Sequence, residues 1–155
     1  TYGGHYRFST LEEYLRTGKY EKFRNEVKTL LKNSVSFRDL KEENSYHLFV
    51  MGMVAIMYEN YYIKSNYESG DGIPDLVLKP KNKKDTAFIF EFKYSRAKDS
   101  KNLKRTAKSA LKQINDRNYA DGLKYEGYEN ITKIGMGFRK KDVEVAIEIE
   151  FIIEE

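Results

Sequence analysis

Apolar positions near the start of the chain recur at helical spacing. Leu11, Leu15, Phe23, Val27, Leu30 and Leu31 predict helix over 11–31, with a break near Gly18. Ser9 and Thr10 before Glu12 and Glu13 suit a helix start. A short polar stretch over 33–39 follows. From about 41 to 60 the chain opens with Glu42 and Glu43, then becomes almost wholly apolar from Leu48. Its length and Met51, Met53 and Met57 argue for a helix, and an all-round apolar helix is expected to sit buried mid-domain. The methionines read as core filler.

Beyond residue 60 the pattern changes to short runs. Tyr61 to Ser65 reads as a strand, Ser69-Gly70-Asp71-Gly72 as a turn, and Leu76 to Leu78 as a second strand. After a polar link, Ala87 to Tyr94 reads as a third strand, and the second and third strands form a β-hairpin. Lys98 to Asn115 is helical again, with an apolar stripe of Leu103, Ala107, Ala110, Leu111 and Ile114. Tyr119 to Asn130, containing Gly122 and Gly127, reads as a loop or a frayed turn. Ile131 to Phe138 and Val143 to Ile153 read as the last strands, joined by the basic turn Arg139-Lys140-Lys141. Glu144, Glu148 and Glu150 alternate with apolar residues, which suits a sheet edge with one wet face.

This order predicts an α/β fold, a mixed sheet of about five strands flanked by helices. A chain of 155 residues closes one core, so residues 1–155 are expected to form a single domain. The chain opens Thr1-Tyr2 without an initiator Met, as a piece of a longer protein would. No cysteine is present, which excludes disulfides and thiolate metal sites and fits a reducing cytoplasm. The longest apolar run, Leu48 to Tyr58, falls short of the roughly 20 residues that cross a bilayer. There is no secretory signal, and no GxxxxGK[ST] phosphate loop, so no ATPase site of that kind.

Net charge is only +4, but it is unevenly placed. Residues 79 to 112 hold twelve Lys or Arg against three Asp or Glu, whereas residues 142 to 155 hold six acids and no base. A local excess of positive charge draws polyanions to one face. Lys98, Lys101, Lys104, Arg105 and Lys108 are the candidate phosphate contacts.

The chemistry lies in Gly72-Ile73-Pro74-Asp75-Leu76-Val77-Leu78 and Phe88-Ile89-Phe90-Glu91-Phe92-Lys93. Side chains alternate along a strand, so Glu91 and Lys93 share one face and Phe90 and Phe92 the other. An acid and a base inside an apolar strand are costly unless they are paired or bind something. The hairpin brings Asp75 to Glu91, and two adjacent carboxylates repel unless a cation lies between them. Oxygen ligands with open water positions suit Mg²⁺ or Mn²⁺. Lys93 beside them can hold a phosphate oxygen or stabilise developing negative charge.

Pro74-Asp75 followed by Glu91-Phe92-Lys93 resembles the signature of the PD-(D/E)XK nuclease superfamily, and the αβββαβ order resembles its restriction-endonuclease-like core. Glu43-Asn44-Ser45-Tyr46-His47, residues 65–75 and Ala110-Leu111-Lys112-Gln113-Ile114 resemble the nuclease-like domain at the C-terminus of AAA-ATPase-like bacterial proteins, over roughly residues 11 to 140. The resemblance implies metal-dependent phosphodiester hydrolysis of nucleic acid, with DNA the expected substrate and an ATPase module the expected partner. It implies that Asp75, Glu91, the Phe92 carbonyl and Glu43 hold the metal and that Lys93 is the catalytic lysine. It also implies that Gln113 points into the site, with His47 and Tyr119 as accessory groups. The alternative is a catalytically silent module of the same fold that binds nucleic acid or docks an ATPase. The complete Asp75–Glu91–Lys93 set argues against it, whereas the acidic last strand and missing phosphate loop suit docking.

Overall fold

The computed structural model describes residues 10–34, 43–65, 74–95 and 103–151. A helix over 10–16 (α1) ends at Gly18, whose φ of +73° turns the chain into α2 (Tyr20–Ser34). Then come α3 (Glu43–Val54), a 3₁₀ segment (Ala55–Glu59), β1 (Tyr61–Ser65), β2 (Leu76–Pro80) and β3 (Ala87–Tyr94). Helices α4 (Leu103–Asp116) and α5 (Ala120–Tyr125) connect to β4 (Asn130–Arg139) and β5 (Asp142–Phe151). The five strands form one mixed sheet in sequence order, antiparallel except for the parallel pair β3–β4.

Strand alternation sorts the side chains of β3 onto two faces. Phe88, Phe90 and Phe92 enter the larger core with α1, α2 and α3, while Ala87 and Ile89 enter a smaller core with Ile114, Ala120 and Leu123. Glu91 and Lys93 continue that second row, on the α4 side, as the strand pattern predicts. The hairpin is also as expected, with Leu76 opposite Phe90 and Leu78 opposite Phe88.

Three expectations need correction. Residues 120–125 are helical rather than looped, because Ala120 and Leu123 bury one face against the sheet while Gly122 is tolerated on the open side. Helix α3 is not buried all round. It packs on the sheet through one face, so Leu48 is 51% exposed, and the chain passes into 3₁₀ geometry at Ala55, where Tyr58 is 63% exposed. The edge strand β5 has no simple wet face. Its described acids have partners within the chain: Asp142 pairs with Lys28, Glu144 with Arg24, Glu148 with Lys133, and Glu150 with Lys133 and Lys124. The predicted turn at 69–72 lies outside the described residues.

Candidate active site

The site forms where β2 and β3 part. Their pairing ends at Leu76 and Phe90, but β3 runs on to Tyr94. Asp75, the residue just before β2, takes the place of the missing strand. Its Oδ2 accepts the Phe92 N–H at 2.7 Å, and its own N–H reaches Glu91 Oε2 at 3.4 Å. The carbonyl and N–H of a strand residue point toward the same neighbour, so the Phe92 carbonyl also faces this fork.

Glu91 is 6% exposed, and Gln113 Nε2 donates to its Oε1 at 2.6 Å. Burial and, secondarily, the negative charge of Asp75 push the Glu91 carboxyl up to about 7, against weaker opposing effects that include Lys93 and Arg117. Burial also raises Asp75, partly offset by the Phe92 N–H. Neither acid forms an ion pair with a lysine or arginine among the described residues. Ionising both carboxylates is therefore costly in the metal-free protein, which is the cost a bound cation relieves. No third Asp, Glu, His or Cys among the described residues joins them as a metal-ligating group. Two carboxylates and a carbonyl still suit a hard cation such as Mg²⁺, which keeps several waters.

Lys93, on the same face as Glu91, directs its Nζ to Ser109 Oγ of α4 at 3.3 Å. Ser109, Gln113 and Arg117 follow at intervals of four, so one helical line brings all three toward β3. Ser109 and Arg117 were not singled out from the sequence, although that spacing would have found them once Gln113 was placed. The Tyr119 hydroxyl is buried close to Gln113 and Arg117. Burial and the charge of Glu91 raise its pKa.

A second unforeseen feature lets α4 come this close. Gly135 and Gly137 of β4 lie beside Glu91 and Lys93 in the parallel register. A Cβ on Gly135 would stand 2.2 Å from the Ala107 carbonyl oxygen, and one on Gly137 would stand 2.8 Å from that of Leu103. The helix backbone therefore rests directly on the strand, and Gln113 reaches Glu91 as a consequence. Glycines inside a strand pattern are a sequence signal of close backbone approach.

The remaining predicted residues divide. His47 is buried at the same end of the sheet, where its Nε2 lies 2.5 Å from Ser65 Oγ and its ring meets Phe92 edge-on. Ser65 pairs with Leu76, one residue from Asp75. Burial lowers the pKa of His47, favouring neutral imidazole. Glu43 is the first residue of α3, but its side chain lies outside the described residues, as do Lys98 and Lys101. Arg105 and Lys108 are exposed on α4. Lys104 does not reach toward the site, and its Nζ donates to the Val145 carbonyl of β5.

The match of a family model over residues 41–148 accords with this geometry: the chain belongs to the PD-(D/E)XK nuclease superfamily. No curated protein and no solved structure matches it. Among the described residues, no helix is long and apolar enough to cross a membrane.

Proposed function

We propose that this domain is a nuclease that hydrolyses phosphodiester bonds with a divalent metal, Mg²⁺ or Mn²⁺, and that its substrate is DNA. One observation carries the reading: half-buried Asp75 lies against buried Glu91, neither forms an ion pair with a lysine or arginine among the described residues, and Lys93 stands on the same strand face as Glu91. Asp75, Glu91 and the Phe92 carbonyl would hold the metal, with Glu43 as a further ligand. When bound, the metal supplies Lewis acidity that lowers the pKa of water and polarises the phosphoryl group. The chain supplies the rest. Asp75 and Glu91 carry the charge that fixes the cation, and Gln113 orients the Glu91 carboxylate. Lys93 is loosely tethered to a neutral hydroxyl, so it can turn to a phosphate oxygen as negative charge develops there. Arg105 and Lys108 offer exposed charge to the backbone of the substrate. The resemblance to the nuclease-like domain of AAA-ATPase-like proteins makes an ATPase module the natural partner, and the absence of cysteine suits the cytoplasm.

Among the described residues the acids of β5 have internal cation partners, which lessens the uncompensated acidic charge that docking would use. The test is cleavage of labelled single- and double-stranded DNA with Mg²⁺, Mn²⁺ or EDTA, comparing wild type with Asp75→Ala and Lys93→Ala. Metal-dependent cutting by wild type, lost in both variants, is the expected result. Activity that persists in Asp75→Ala, or in EDTA, would sink the assignment.

A further inference from the structure

Val77 and Lys79 point away from the larger core, since Leu76 and Leu78 enter it and strand neighbours alternate. Lys64 pairs with Val77 across the β1–β2 ladder and shares its face. Helix α5 stands opposite. Between them lies a groove of about 590 Å³, bounded by Pro74 at one end and Tyr119 at the other side. This volume is in the range that takes a small organic ligand. Both boundary residues belong to the catalytic fork: Pro74 precedes Asp75, and Tyr119 feels the charge of Glu91.

The groove has two chemical halves. Val77 and Leu123 give it an apolar surface. Its far side is a lysine cluster around one carboxylate. Glu126 accepts from Lys79 Nζ at 2.9 and 3.0 Å, and Lys64 and Lys83 add their fields to the same acid. Of these cations Lys64 and Lys79 line the cavity with Glu126, which leaves an excess of one positive charge facing it. At the wall, a Cβ on Gly122 would meet nothing within 4 Å, so the cavity is open there.

We propose that this groove is a nucleotide subsite, which receives the nucleotide next to the cleaved phosphodiester. Its base lies against Val77 and Leu123, and its phosphate meets Lys64 and Lys79. The subsite rests on the nuclease reading and extends it to a stretch of surface outside the metal site.

Gly122→Phe tests it, because position 122 lines the groove and has room for a Cβ, and a helical glycine is replaced by a better helix former. The first measurement needs no catalysis. Metal-free protein in EDTA is titrated with thymidine 5′-monophosphate and followed by amide NMR. Saturable shifts at Lys64, Val77, Gly122 and Leu123 are expected, and in Gly122→Phe they disappear. Shifts absent from these residues in the wild type overturn the subsite, whether or not the protein cuts DNA. The second measurement compares kcat/KM for a DNA oligonucleotide with that for bis(p-nitrophenyl) phosphate, which has no neighbouring nucleotide. Gly122→Phe should lower the preference for DNA on the order of tenfold, the scale on which an apolar pocket discriminates. An unchanged preference overturns the subsite while leaving the nuclease reading intact. A wild type that cuts neither compound removes the nuclease reading instead, and the subsite with it.

Discussion

The Phe92 N–H donates to Asp75 Oδ2 at 2.7 Å, so the first acid is clamped to the residue that separates Glu91 from Lys93. This bond completes β3 where β2 has left it, and it fixes how close the two carboxylates stand. Asp75→Asn keeps an oxygen to accept that N–H and deletes the charge. The Glu91 titration should then move down from about 7 toward the ordinary carboxylate range, because one of the influences raising it is Asp75. Carbon-13 NMR of the Glu91 carboxyl reads this directly. An unmoved midpoint would mean that the two acids are not electrostatically coupled.

The raised Glu91 pKa also sets a pH dependence for the metal-free protein. The folded state holds the Glu91 proton up to about 7, whereas an ordinary glutamate releases it near 4.5. Between those values the folded state binds more protons, so the stabilising contribution is whole below 4.5 and is lost as pH rises through 7. The loss from this group is on the order of 3 kcal/mol. A divalent cation needs the ionised carboxylates and so competes with that proton. Mg²⁺ should therefore raise the melting temperature more at pH 8 than at pH 5.5. Equal shifts at both pH values would detach metal binding from Glu91.

Gln113 donates to Glu91, so in the proposed nuclease it is a positioning residue. Its Nε2 holds Oε1 at 2.6 Å and so fixes the rotation of the carboxylate that would face the metal. Removing such a contact weakens metal affinity by about 10- to 100-fold in comparable sites. Gln113→Ala should show that loss in Mn²⁺ calorimetry, with the fold intact by circular dichroism and cleavage largely restored at saturating metal. Wild-type Mn²⁺ affinity in this variant would reduce Gln113 to a packing residue.

The acid–lysine fork was legible in the sequence because its logic is local. Period-two alternation puts Glu91 and Lys93 on one face, and a hairpin of short link length brings Asp75 to them. What escaped depends on long-range packing. Helix α5 was hidden by Gly122 and Gly127, since nothing nearby in sequence shows that Ala120 and Leu123 will find the sheet. The burial of α3 was overstated because apolar composition does not reveal how many neighbours a helix has. The partners of the β5 acids likewise come from far away, as with Lys28 and Asp142. Lys104 looked like one more phosphate contact until the sheet edge supplied the Val145 carbonyl. Gly-Met-Gly at 135–137 carried a usable signal, but its target, the backbone of α4, is apparent only in three dimensions.

That contact yields the last prediction. A Cβ at position 135 would lie 2.2 Å from the Ala107 oxygen and 2.5 Å from the Leu111 nitrogen, and both are backbone atoms of a regular helix. Neither can yield by a rotamer change, so Gly135→Ala must lift α4 from the sheet. Overpacking of this kind costs about 1–3 kcal/mol and at times more. The shift also pulls Gln113 away from Glu91 and Ser109 away from Lys93, which sit on the displaced helix. Gly137→Ala meets its nearest helix atom at 2.8 Å and should cost less. Urea denaturation of both variants gives the order of stabilities, and Mn²⁺ affinity of the folded Gly135→Ala protein reports whether the site has opened. Stability and metal affinity equal to wild type in Gly135→Ala would show that α4 is not held against β4 as closely as described, and the positioning role of Gln113 would lose its foundation.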